Sequence, residues 1–382
     1  MNRIALVLII AVSYLGRAAI GGEPVGDAPL SADQVTALIA GLNNDSFNVR
    51  EAATERLTTA GRHAIPHIVD AVSDNDLEVT TRLLRVLGQL ALSEQPATSA
   101  DARAALEKIA ATRVTSAATR AAETLATLDE IREERCLAQL KRLGATVERH
   151  TYAFGNNAVD LSYTIEIDKR WKGESDEFKL LGNVPHVRHL VLNYPEVDDD
   201  WMSVVAELSN LEDLTIVRGK VTSAGIADLS KLERLQTLEM MYTPMIDDGA
   251  VDSLRAMQGV VMMRLYGTRI SKDGQTRLRE QLANTNVDVR RGGFLGISPL
   301  RNLAPCTIGQ VHPNTAAEAA GLQTNDTILE YNGQPVTDFD SLTKLISDNG
   351  PGETSTLLIE RGGEKLTKQV TLGECKPSML RQ

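Results

Sequence analysis

Apolar residues recur along this chain with three different periods, and the changes of period divide it. Up to about residue 135 the spacing is helical. "SADQVTALIAGL" sets Val35, Leu38, Ile39 and Leu42 at the i, i+3, i+4, i+7 positions of one face. Ser31 and Gln34 stand at capping-box spacing, where each side chain satisfies an amide at the helix start. Further helices are predicted in "DSFNVREAATERL", "AIPHIVDAV" and "DNDLEVTTRLLRVLGQLA", with Val49, Ala53 and Leu57 recurring at one constant offset as Val79, Leu83 and Leu87. Pro66 falls at the start of one of them, where the missing amide has no intrahelical partner to lose. "DARAALEKIAAT" and "SAATRAAETLATLDEIREERCLAQL" predict another pair.

The middle of the chain changes to short apolar strands at a long, regular interval. "VRHLVL", "LEDLTI", "LQTLEM" and "VVMMRL" begin at Val187, Leu211, Leu235 and Val260, spacings of 24, 24 and 25. Ile165 and Ile167 precede Leu190 and Leu192 by 25, and Val287 and Val289 follow Met263 and Leu265 by 24, so about six turns of one array are expected. A single turn cannot bury its own apolar face, which makes a continuous spine through stacked neighbours the expected core. The intervening "VTSAGIADLSKLERL" and "IDDGAVDSLRAMQG" open with Thr or Asp and continue with helical spacing. The acidic run "EVDDDW" occupies the same place, so its Asp residues read as helix caps rather than metal ligands. Arg188, Val191, Glu212, Thr215, Gln236, Glu239, Val261 and Arg264 are assigned to a concave face pointing away from the spine. Their mixed charge and lack of aromatics suit a solvated face as well as a protein-binding one.

After Arg291 the pattern becomes short alternating strands punctuated by Gly, in "GFLGI", "GQVHPNTAAEAAGLQTNDTILEYNGQPVTDFDSLTKLI" and "PGETSTLLIERGGEKLTKQVTL". Asn332-Gly333 and Gly362-Gly363 are hairpin signals. Asp338 or Ser341 caps a helix whose Phe339, Leu342 and Ile346 share one face.

Each block resembles a known family. Residues 31–135, with helix pairs, Pro66 and the Val49, Arg50, Ala53 pattern, resemble HEAT-like repeats. Residues 160–290 resemble bacterial leucine-rich repeats of the strand-helix type. Residues 291–374 resemble a PDZ domain of the bacterial, HtrA-like type. That likeness rests on the apolar-Gly-apolar loop Leu295, Gly296, Ile297, on the stretch ending Ala320, Gly321, Leu322, on Asp326 and on Asn332-Gly333. The implied fold class is multidomain: all-α HEAT-like helical repeats, an α/β leucine-rich-repeat solenoid and a small mainly-β PDZ domain. A signal peptide over 1–21, a junction over 136–159 and a tail over 375–382 complete the organisation.

The PDZ likeness implies capture of a peptide or protein C-terminus. A carboxylate needs convergent backbone amides, and glycine presents them without a side chain in the way. The peptide then adds as a strand beside Ile297 and Ser298, with Phe294, Leu295 and Gly296 forming the loop and Thr343 and Ile346 the helical wall. Two positions depart from the family pattern. Asn325 replaces a Gly, which the left-handed tolerance of Asn allows. Pro299 removes one amide early in the receiving strand.

Composition narrows the remaining choices. The chain has 382 residues, of which 42% are hydrophobic, enough for several domains with real cores. A net charge of −11 argues against nucleic acid, whose binding rests on clustered Lys and Arg, and against anionic membranes. "MNRIALVLIIAVSYLGRAAIGG" has an early Arg, an apolar run too short for a span of roughly 20 residues, and small residues suited to cleavage. Export to the periplasm or outside is expected, with membrane contact only through this segment if it stays uncleaved. Cys306 and Cys375 bracket the last block and are a candidate disulfide in an oxidising compartment, while three separate thiols, with Cys136, is the alternative. His63 and His67 lie four apart, but Pro66 stands between them and no Glu completes H-E-x-x-H. No G-N-S-G-G, Walker A, H-E-x-x-H or C-x-x-C pattern occurs. The expectation is therefore a chain that is not an enzyme and needs no metal or cofactor: a scaffold of the cell envelope that binds chain ends and other envelope proteins. The rivals are a structural envelope protein whose PDZ binds no peptide, and a substrate-recognition adaptor for a separate protease.

Overall fold

The computed structural model describes residues 30–73, 75–112, 115–154, 158–300 and 305–375. The signal segment expected over 1–21 and all but the first residue of the tail lie outside the described residues. The chain forms two compact units, one up to Arg135 and one from Cys136 on.

The first unit is helical: α1 (Ala32–Gly41), α2 (Phe47–Ala60), α3 (Ile65–Ala71), α4 (Leu77–Ala91), α5 (Pro96–Ala110) and α6 (Ser116–Arg142). Ser31 and Gln34 form the predicted capping box, and Pro66 sits in the first turn of α3. Asp76 caps α4 by accepting from the Val79 amide at 3.0 Å. Leu57 and Leu87, equivalent positions in the repeated pattern, are both fully buried in one core with Leu42, Ile68, Leu83 and Leu106. Each such side chain removed from water contributes about 1.5–3 kcal/mol. From Cys136 on, the last turns of α6 supply Cys136, Leu137 and Leu140 to the core of the second unit.

The second unit opens with an antiparallel hairpin, β1 (Thr146–Phe154) and β2 (Ala158–Ile167), of which β1 lies inside the stretch expected to be a junction. The charged pair Glu148 and Arg149 interrupts the apolar alternation that would announce a strand there. From β2 the sheet continues in parallel through β3 (Val187–Leu192), β4 (Asp213–Val217), β5 (Thr237–Met241), β6 (Met262–Tyr266) and β7 (Asn286–Arg290), neighbours in chain order. Ile165, Leu190, Leu214, Leu238, Met263 and Val287 stand in register across it, and all are buried. Short helices, including α7 (Asp199–Val205) and α8 (Lys272–Gln281), return the chain between strands. The acidic run acts as the sequence predicts. Asp198 caps α7, and Asp199 accepts from the Thr222 amide at 2.8 Å and its hydroxyl at 2.6 Å, tying one turn to the next.

The remaining strands are β8 (Gly293–Phe294), β9 (Ile297–Pro299), β10 (Ile308–Val311), β11 (Thr327–Tyr331), β12 (Gln334–Pro335), β13 (Thr354–Arg361), β14 (Glu364–Thr371) and β15 (Gly373–Glu374), with α9 (Phe339–Ser347) among them. Asn332-Gly333 and Gly362-Gly363 turn the β11–β12 and β13–β14 hairpins with positive φ at all four residues, and Asn325 takes φ +71° as expected. Asp326, fully buried before β11, receives Arg361 through two hydrogen bonds of 2.6 and 2.7 Å.

The last block is seated on the ends of the parallel strands. Val217, Met241, Tyr266 and Cys375 form a buried cluster against which Tyr242 and Phe294 pack. The Tyr242 hydroxyl donates to the Gly292 carbonyl at 3.0 Å and accepts from the Cys375 amide, and Arg218 pairs with Glu374. The candidate Cys306–Cys375 disulfide is not formed. Cys306 belongs to the core of the β9–β14 block, whereas Cys375 belongs to the seating cluster. Burial also pushes both thiols up to about 11, away from the reactive thiolate. Among the described residues no helix is long and apolar enough to cross a membrane.

Candidate peptide-binding groove

Strand β9 is an edge strand, paired with β10 alone among the described residues. The register decides what its other edge offers. Ile297 lies opposite Val311, and the bond from the His312 amide to the Gly296 carbonyl, 2.9 Å, brackets that pair from outside. In an antiparallel ladder this is the non-hydrogen-bonded arrangement, so the amide and carbonyl of Ile297 point away from β10. Ser298 points towards β10, as does Leu300, whose amide bonds the Thr307 carbonyl at 2.9 Å. Pro299, next in the alternation after Ser298, has no amide to offer on the outer edge, and its carbonyl lies against Gly309 at the bulge in β10.

The loop before β9 turns at Gly296, φ +88°. A Cβ there would lie 2.2 Å from the Cβ of Thr315, so both conformation and space demand glycine. Thr315 is fixed by donating to the His312 carbonyl at 2.7 Å, and the Leu295 carbonyl accepts from the Ala317 amide at 2.8 Å. Opposite stands α9, capped by Asp338, with Leu342 and Ile346 in the core and Phe339 and Thr343 flanking them. Between loop and helix lies a cavity of about 360 Å³.

Six of the seven residues predicted for this site are brought together around the cavity: Phe294, Leu295, Gly296, Ile297, Thr343 and Ile346. Ser298 is not. Its backbone pairs with Gln310, and its hydroxyl hydrogen-bonds the His312 ring at 2.8 Å, so the peptide-facing role assigned to it is corrected. The groove also contains groups that sequence reasoning passed over. Leu342, buried in the core, also forms part of the floor, and Phe339 and Asp340 line the cavity. Arg290, at the end of β7, is the one cation lining it among the described residues. Two bonds to Asp288, 2.8 and 2.6 Å, and the Tyr266 ring beneath it at 5.2 Å fix the guanidinium. Burial works to lower its pKa, but the hydrogen bond and charge of Asp288 more than offset that, so the arginine stays charged. The available signal was its place just ahead of the loop.

The expected concave face differs in two ways. Side chains of a strand alternate, so with Leu190 and Leu192 in the core the opposite face takes His189 and Val191. The rows across that face are accordingly His189, Asp213, Thr237, Met262 and Val191, Thr215, Glu239, Arg264. Glu212, Gln236 and Val261 precede their strands, and Arg188 falls one residue before the alternating row, so these four are corrected to the leading edge of the sheet. Nor is the centre of the face solvated: Thr215 and Glu239 are each 2% exposed, joined by a 3.0 Å hydrogen bond, and Arg264 pairs with Glu239.

Comparison with known proteins bears on this block. Residues 293–372 match the PDZ domain family. Over 108 residues the chain is 34% identical to the regulator of sigma-E protease RseP of Escherichia coli (strain K12), covering 26% of this chain and 24% of RseP. It is 26% identical over 224 residues to the serine endoprotease DegS of Salmonella typhimurium (strain 14028s / SGSC 2262), covering 50% of this chain and 61% of DegS. The chain thus spans less than two thirds of either relative. A serine endoprotease structure from Yersinia pestis aligns over 22% of this chain and 30% of that one, with 27% identity and a TM-score of 0.21. The expectation that the chain is not an enzyme is overturned by these names, because the relatives that share its sequence are proteases. What the geometry and the family match establish together is narrower and firm: the C-terminal block of this chain is a PDZ domain.

Proposed function

We propose that this protein recognises polypeptides, its PDZ groove receiving a chain end as an added strand beside Ile297. The observation that carries the reading is the outward amide and carbonyl of Ile297 at a strand edge, next to a glycine loop and over an apolar cavity. A terminal carboxylate would meet the amides of Leu295 to Ile297 and the charge of Arg290, and the last side chain would enter the cavity between Leu295 and Ile346. Pro299 offers no amide, so the ladder is short and the last two residues carry most of the recognition.

The other blocks supply the frame in this reading. Residues 31–135 are taken as HEAT-like repeats, 160–290 as a leucine-rich-repeat solenoid and 291–374 as the PDZ domain. The regular register through β2 to β7 supports the second of these. Export is proposed from the leader pattern that runs from Met1 to Gly21. The protease names of the relatives support ligands that are polypeptides handled by proteolysis.

A screen of the full chain against peptides with free, randomised C-termini tests the proposal. Enrichment of an apolar last residue, with little selection beyond the third position, is expected. A flat profile would rule the groove out as a peptide site.

A further inference from the structure

A second cleft, of about 1000 Å³, lies where the PDZ block meets the ends of the parallel strands, and it adjoins the peptide groove through Arg290 and Ser347, which line both. Its walls come from the segments after β4 to β6, from α8 and from α9. Cations gather there against the sign of the chain, whose net charge is −11. Four of them have partners: Arg218 with Glu374, Arg291 with Glu353, Lys272 with Asp348 and Arg290 with Asp288. Three make no ion pair among the described residues: Arg269, Arg279 and Lys344. Arg279 donates to the Val287 carbonyl at 3.4 Å. Asp247 feels the charge of Arg269, but its side chain is engaged by the Gly249 amide and the Ser223 hydroxyl.

We infer that this cleft is a second ligand site, one that takes the carboxylates of an acidic peptide segment. Three charges left uncompensated in one concavity set up a positive potential that attracts and orients an anion. The cations are distributed over strand ends and two helices rather than closed around one point, which suits several carboxylates along a chain better than one compact anion. The opening shared with the groove lets one polypeptide engage both sites, and the effective concentration so gained strengthens weak contacts without any new one. That link rests on the proposed reading of the groove; the site itself does not.

The probe is a dye-labelled hexaglutamate with an amidated C-terminus, titrated by fluorescence anisotropy against the full chain. A neutral peptide with a free apolar C-terminus reports the groove in the same preparation. Saturable binding of hexaglutamate is expected, weakened about tenfold or more by raising salt from about 50 to about 500 mM, roughly a threefold shorter Debye length. The double variant Arg269→Glu, Lys344→Glu is expected to weaken it about as much while leaving the neutral peptide's affinity unchanged. Both residues are exposed, and an unchanged unfolding midpoint checks that the fold survives. Hexaglutamate binding without neutral-peptide binding would sustain the cleft and refute the groove. No hexaglutamate binding, equal binding to the variant, or saturation by tripolyphosphate alone would overturn the inference.

Discussion

The outer edge of β9 and the exposed-looking face of β3 to β6 both present polar groups beside an apolar floor, yet they are physically opposite. On the parallel strands, Thr215, Glu239 and Arg264 satisfy one another in a row, and the first two are buried. At β9 the amide and carbonyl of Ile297 point into the groove, with no strand on that side among the described residues. Curvature and polarity alone do not separate a recognition surface from a structural one. Hydrogen-bonding capacity left open by the fold does.

The comparison is broken most severely at Gly296. Gly296→Val meets Thr315 and a left-handed backbone at once, a strain of about 1–3 kcal/mol in the loop alone. Peptide affinity should fall about 100-fold, roughly 3 kcal/mol, while the fold persists. Anisotropy titration and a thermal melt read the two effects separately, and unchanged affinity would show that the loop is not the carboxylate site.

On the parallel strands the opposite outcome is expected. Glu239→Ala leaves the buried Thr215 hydroxyl without its partner and Arg264 without its counter-charge. It should cost about 2–3 kcal/mol of stability in urea titration and leave peptide affinity alone. An affinity loss with full stability would make that row a binding surface after all.

A somewhat smaller effect concerns Asp326. Burial tends to raise its pKa, but the hydrogen bonds from Arg361 and the Gln323 amide hold it below the ordinary carboxylate range overall. A carboxyl depressed in the folded state stabilises above its unfolded pKa of about 3.9, and that contribution is lost as pH falls through the folded value. Asp326→Asn should therefore cost about 2 kcal/mol at neutral pH, with the difference from the parent shrinking below about pH 4. A pH-independent difference would assign the effect to packing instead.

The smallest change sharpens the comparison from the groove side. Pro299→Ala restores an outward amide and should tighten peptides of three or more residues by about 0.5–1.5 kcal/mol, several-fold in affinity, with no gain for a dipeptide. Equal affinity for all lengths would mean that the peptide does not run along β9.

Much of this was legible in the chain, and the reason is periodicity. The constant spacing of the apolar strands predicted the parallel register from Ile165 to Val287, and the Gly, Asn and capping residues marked the turns around Asn332, Gly362 and Asp338. Single-residue parity was harder to read. Whether Ser298 or Pro299 faces the groove, or Arg188 or His189 the sheet face, depends on where each strand begins, and the length of a repeat does not reveal that. Arg290 was missed because its relation to the groove runs through tertiary contacts with Asp288 and Tyr266. Strand β1 was missed because its charged residues hide the alternation.

The central claim is that Ile297 and its glycine loop hold a chain terminus. The most direct measurement compares one peptide from the C-terminal screen in two forms, free acid and amide, against the full chain at matched ionic strength. The account predicts binding at least tenfold tighter for the free acid, with the difference abolished in Gly296→Val. Equal affinity of acid and amide for the parent chain would contradict it.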